Sequence, residues 1–145
     1  MIDSKDEAIL KEYLKDSRQS YREIARKTGI SATTVAARVA KMEKEEIIKK
    51  YTIQIDPEKI GYDLTVVMSV NTQAFRFFSE KYNFNRFHIN AVYVMTGEDD
   101  LIIIGKFRTR KELAKFTQEL VEYPSVNGTK TQLVLITKEE DFNKI

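Results

Sequence analysis

Along the first fifty residues the apolar positions recur at spacings of three and four. Ile9, Leu10, Tyr13 and Leu14 follow Asp3 and Asp6, the pattern of a capped amphipathic helix with Ile2 as a hydrophobic staple. Ser20-Tyr21-Arg22-Glu23 has the S-x-x-E form of a capping box and opens a short helix with Tyr21, Ile24 and Ala25 inward. Gly29 supplies a left-handed residue after that helix, Ile30 packs in the turn, and Ser31 caps a third helix. In the third helix Val35, Val39 and Met42 form one stripe, with Ile47 and Ile48 beyond. Helix, short helix, Gly turn and longer helix is the helix-turn-helix order, whose second helix enters a DNA major groove. The plain alternative is a three-helix bundle that binds nothing.

After Lys50 the pattern changes. Tyr51, Ile53 and Ile55 alternate with polar residues, which predicts a short strand, and Asp56-Pro57 breaks it with Gly61 close behind. With no Gly/Ser run, residues 51–63 form an ordered linker. From Leu64 the chain reads as a strand (LTVVMSVNT), a helix (AFRFFSEKYNF), a strand (NAVYVM), a turn with Gly97 and a strand (LIIIGKF). A helix capped by Thr109, with Glu112 in the capping-box place, follows, then Pro124, Gly128 and a last strand (TQLVLIT). The order β-α-β-β-α-β predicts a ferredoxin-like sandwich. The chain is therefore α+β: a winged-helix-like helix-turn-helix domain over 1–50, the strand and linker 51–63, and a βαββαβ domain over 64–145.

Two helices cover one sheet face, so a free-standing domain needs a polar second face. Here both faces are apolar. Leu64, Val66, Met68 and Val70 point one way with Val67 opposite; Leu101 and Ile103 oppose Ile102 and Ile104; Leu133 and Leu135 oppose Val134 and Ile136. An uncovered apolar face is buried against another chain. The expected dimer interface is Leu64, Val66, Met68, Val70, Leu133 and Leu135. The alternative is that the first fifty residues fold over the sheet.

The chain has 145 residues, 42% hydrophobic and 32% charged, enough apolar mass for a core. Its net charge is only +2, but residues 18–50 carry nine basic side chains against four acidic ones. That local excess suits a polyanionic partner. No apolar run approaches the ~20 residues of a membrane span. The acidic start lacks the basic and apolar regions of a signal peptide, so the cytoplasm is the expected compartment. With no Cys and one His, His88, there is no thiolate or Cys–His chemistry, no metal site and no cofactor is expected, and no nucleophile elbow or phosphate loop appears. No enzymatic activity is expected.

The third helix presents small side chains. With Val35, Val39 and Met42 inward, Thr33, Ala37, Ala40 and Lys44 lie opposite, and Thr34, Arg38 and Lys41 lie on one flank. Short side chains let a helix backbone approach base edges; Thr and Ala methyls meet the thymine methyl, and Thr hydroxyls bond to bases or phosphates. Ser31 and the free N–H groups of the first turn suit a phosphate. Arg38 and Lys41 have reach, and Arg38 fits either a bidentate guanine contact or a phosphate clamp. Arg22, Arg26 and Lys27 are further phosphate candidates. So few long donors imply that shape and deformability supply much of the specificity.

The opening IDSKDEAIL, the block DSRQSYREIARKTGISATTVAARVAKMEKEEII, the joint YTIQIDPEKIGYD and the segment VYVMTGEDDLIII occur in this order across essentially the whole chain. Together they resemble the Lrp/AsnC, or feast/famine, transcription regulators of bacteria and archaea. The resemblance implies a homodimer through the C-terminal domain, assembly into tetramers or octamers, and binding of double-stranded DNA. It also implies an amino acid or related metabolite as effector, near the loop Thr96, Gly97, Glu98, Asp99 and Asp100, where Gly97 and Asp100 match a G-x-x-D pattern. A glycine admits a ligand close to the backbone, and carboxylates suit an ammonium group. A plain β-turn with solvated acids is the competing reading of that loop. The chain departs from the family in the small residues Ala37 and Ala40 and in the aromatic segment RFFSEKYNFNRFHIN.

A sequence-preferring regulator competes with two other classes. An architectural DNA protein would bind all sequences alike and ignore amino acids. A metabolite-binding oligomer would bind ligand without salt-dependent DNA binding.

Overall fold

The computed structural model describes residues 2–79, 82–97 and 100–143. The chain divides into two compact units, Met1–Gln54 with Glu139–Ile145, and Ile55–Lys138.

In the first unit, α1 (Ser4–Lys15) starts where the Asp3 carboxylate accepts from the N–H groups of Lys5 and Asp6, while Asp6 accepts from the Asp3 N–H. The second helix, α2 (Tyr21–Thr28), starts with the reciprocal Ser20–Glu23 box and ends at Gly29, φ +72°. Ser31 Oγ accepts from Thr34 N–H at the head of α3 (Ala32–Lys44). Ile9, Ile24, Val35, Val39 and Met42 are fully or almost fully buried together, with Ala25 and Ile30 packed against them, as the spacing predicts. The last turn of α3 closes through Glu46 at φ +55°, with Ile47 N–H donating to Met42 O at 2.9 Å.

The second unit holds β1 (Leu64–Thr72), α4 (Ala74–Ser79), β2 (Ile89–Val94), β3 (Leu101–Phe107), α5 (Arg110–Val121) and β4 (Val126–Leu133). The sheet order is β2-β3-β1-β4 with every pairing antiparallel, the βαββαβ sandwich expected. Its core joins Val66, Met68 and Val70 of β1 and Leu101 and Ile103 of β3 to Phe77 of α4 and Phe116 and Leu120 of α5. The unusual aromatic content has a packing role: Tyr82, Phe84 and Tyr123 surround Phe77 at ring separations of 5.3 to 6.0 Å.

Three local expectations are corrected. No strand forms over residues 51–55. Tyr51 is held on the helices, its hydroxyl donating to Glu43 at 2.8 Å and its ring against Tyr13, but Ile53 is 78% exposed and no strand among the described residues pairs with the segment. The α4 helix, Ala74–Ser79, is shorter than AFRFFSEKYNF implies: Tyr82 and Asn83 are not helical, and Phe84–Arg86 is a separate 3-10 turn whose start Asn83 caps. The last strand is the polar VNGTKTQL rather than TQLVLIT. Seven pairings to β1, from Val66↔Leu133 to Thr72↔Val126, override the weak β-propensity of that stretch.

The largest correction concerns the sheet faces. Val66, Met68 and Val70 are completely buried beneath the helices, so they are core and unavailable to a partner. Leu64 packs at the edge of the same core. Leu133, opposite Val66, is half exposed at the sheet edge, and Leu135 lies beyond β4 and is 93% exposed. The open face belongs to the alternate residues, Val67 of β1 and Ile102 and Ile104 of β3, which are only partly buried. Two apolar faces are real, but apolar pattern alone does not say which one the helices cover.

Candidate DNA-binding surface and effector loop

On α3 the exposed residues are Thr33, Ala37, Ala40, Lys41, Glu43 and Lys44; Thr33, Ala37, Ala40 and Lys44 form the strip opposite the Val35–Val39–Met42 stripe. Beside it lies a groove of about 470 Å³ lined by Thr33, Thr34, Ala37, Arg38 and Lys41, with Asp3 and Asp6 on its far wall. The Thr34 hydroxyl is 2.7 Å from Ser31 Oγ, so both hydroxyls are already engaged at the helix cap. Lys41 is exposed and only loosely paired with Glu45 at 3.8 Å. Arg22 and Arg26 are exposed and make no ion pair among the described residues. Lys27 is tied back, to Gln19 at 2.5 Å and Glu12 at 3.5 Å.

Arg38 is the surprise. Its Nη1 donates to both carboxylate oxygens of Asp3 at 2.7 Å and to Asp6 Oδ1 at 2.8 Å. Its Nε is buried without an acceptor. The Arg38 bonds, with the backbone N–H of Asp6, hold the Asp3 carboxyl below its ordinary range. The Asp3 N–H and then Arg38 do the same for Asp6. These acids stand out in the sequence as caps of α1, but nothing local reveals that they meet a guanidinium 32 and 35 residues away.

In the β2–β3 loop, Met95 N–H donates to Asp100 O at 2.8 Å, and Asp100 N–H donates to Val70 O at 3.1 Å. One Asp100 carboxylate oxygen accepts from Thr72 N–H at 2.8 Å, so this acid anchors the end of β1. Thr96 is exposed. Gly97 has φ +121°, a conformation side chains avoid, and a Cβ there meets nothing within 4 Å. Glu98 and Asp99 lie outside the described residues. Among the described residues no cluster of three or more acidic or His side chains suits a metal ion, and no helix is long and apolar enough to cross a membrane.

Residues 2–49 match a winged helix-turn-helix DNA-binding family model, and residues 86–142 match the Lrp/AsnC ligand binding domain. An HTH-type transcriptional regulator of Pyrococcus furiosus is 35% identical over 142 residues, spanning 97% of this chain and 96% of that one. The chain belongs to the Lrp/AsnC family. Its fold is likewise that of solved family structures. AsnC of E. coli superposes with a TM-score of 0.84 at 24% identity, covering 97% of each chain. A Neisseria meningitidis transcriptional regulator in complex with L-Met gives 0.86 at 18% identity, covering 100% of this chain and 97% of that one. This Lrp/AsnC protein is accordingly a DNA-binding transcription regulator, with the helix-turn-helix unit ahead of the ligand-binding domain.

Proposed function

We propose that this regulator prefers particular DNA sequences and reads them with α3 in the major groove. The observation that carries this reading is the exposed strip Thr33, Ala37, Ala40 and Lys41 on a helix whose opposite stripe is fully buried. Its methyls suit thymine, and its small size admits the backbone close to base edges. The free N–H groups that open α3, with Arg22 and Arg26, take phosphates. Lys27, tied to Gln19 and Glu12, contributes little.

The DNA-binding form is a homodimer or a larger homo-oligomer, with the open sheet face around Val67, Ile102 and Ile104 as its interface. Partly exposed apolar residues on adjacent strands support that choice. An amino acid is the effector, supported by the match to a ligand-binding domain and by the L-Met complex of the Neisseria relative. Thr96, Gly97, Asp99 and Asp100 are its candidate contacts, with Asp100 offering the oxygen that does not hold Thr72.

The test is fluorescence anisotropy on the promoter of the protein's own gene against a random duplex of equal length, at two salt concentrations. A preference that persists at the higher salt supports the reading. Equal binding that collapses with salt marks an architectural protein held by phosphate contacts alone.

A further inference from the structure

Arg38 has the length, charge and position on α3 of a DNA-reading residue, yet its Nη1 is turned to the acids of α1. Three bonds of 2.7 to 2.8 Å join Nη1 to Asp3 and Asp6, and the side chain is 25% exposed. Those acids are the two halves of the α1 capping box. Two carboxylates so close repel, and the guanidinium between them is their counterion. To turn Nη1 to a phosphate or a guanine, Arg38 must give up its charge-assisted bonds to Asp3 and Asp6. It would also leave two uncompensated carboxylates facing a polyanion. Lys41, three residues on, offers the same charge with far less to surrender.

We infer that Arg38 is a positioning residue for DNA recognition: the Asp3–Asp6–Arg38 clamp sets α3 against the start of α1, and Arg38 itself contacts neither base nor phosphate. The inference rests on the proposed placement of α3 in the groove. It reassigns the middle of the recognition helix. Sequence preference comes from Thr33, Ala37 and their neighbours, and the long cation at the centre holds the angle at which they are presented. It also gives the acids of α1 a part in specificity, although they are of the wrong sign to bind DNA.

The experiment measures the affinity ratio between a duplex enriched from a random library by the wild-type chain and an unselected duplex. Wild type is compared with R38Q, D3N and the double variant, across a salt series. The ratio matters because removing a negative charge strengthens binding to all DNA, and that effect cancels between two duplexes. D3N is the decisive variant: Asn caps a helix as well as Asp, so α1 is retained while the clamp loses the Asp3 charge and one of the Asp3 acceptor oxygens. The expected result is a ratio lowered about threefold or more in both single variants, with the double variant no worse. The slope of affinity against salt stays unchanged in R38Q. If R38Q lowers the ratio and D3N does not, Arg38 reads a base. If R38Q only flattens the salt slope, it holds a phosphate. Either result, or no change in any variant, overturns the inference. A wild-type ratio near one is a different failure, that of sequence preference itself.

Discussion

Val67 pairs with Ile104 across β1 and β3, and both sit on the sheet face opposite the one the helices bury. Their neighbours Val66 and Ile103 are completely buried on the helix side. One residue of offset separates core from candidate interface. Val67→Asp is expected to lower the solution mass seen by light scattering while leaving a cooperative melt. Val66→Ala, in contrast, loses about 2 kcal/mol of stability without changing the assembly. A Val67→Asp protein of unchanged mass rules out the sheet-to-sheet dimer.

The two left-handed residues that flank α3 make opposite predictions. Gly29 stands at φ +72° with open space around it, so Gly29→Ala costs about 1 kcal/mol through the backbone alone. Glu46 stands at φ +55° although it carries a side chain, so Glu46→Gly stabilises the helical unit by up to about 1 kcal/mol. Thermal or urea melts of the two variants should move in opposite directions.

Lys41 is the exposed cation nearest the centre of the recognition strip. Lys41→Ala is expected to weaken binding to all duplexes similarly and to reduce the slope of log affinity against log salt by about 0.9, the loss of one phosphate contact. An unchanged slope would remove Lys41 from the interface.

Asp3 and Asp6 are both depressed below the ordinary value of 3.8, Asp3 chiefly by Arg38 and Asp6 chiefly by the Asp3 N–H. A depressed folded-state carboxyl contributes stability above its unfolded value that is lost as pH falls through the folded one. Melts of the wild type should therefore fall in midpoint as pH drops below about 4, and D3N should show a shallower fall. Parallel curves would mean that the clamp contributes nothing to the acid limb.

Asp100 binds Thr72 N–H, so Asp100→Ala should destabilise the sheet unit by about 1 kcal/mol, whereas Asp100→Asn keeps an acceptor oxygen and the fold. If Asp100 also meets an effector ammonium, the Asn variant loses the rise in melting temperature that L-amino acids give the wild type. A ligand-induced rise that survives Asp100→Asn would leave this acid with its anchoring role alone.

The helix-turn-helix was legible because its signals are local. Asp3, Ser20 and Ser31 cap the helices that follow them, Gly29 ends α2, and a spacing of three and four buries Val35, Val39 and Met42. The order of strands and helices in the second unit was legible for the same reason. What the sequence could not decide were contacts between distant residues. Alternation in LTVVMSV shows two apolar faces, but only the seating of Phe77, Phe116 and Leu120 decides that Val66 is core and Val67 is open. The polar stretch VNGTKTQL becomes a strand because β1 offers it a row of unpaired backbone groups. Arg38 lies on the recognition helix by periodicity alone, and only the approach of α1 across 35 residues turns its guanidinium onto Asp3. Periodicity and capping act within a few residues and can be read along the chain, whereas the choice of face, edge and ion-pair partner belongs to the folded packing.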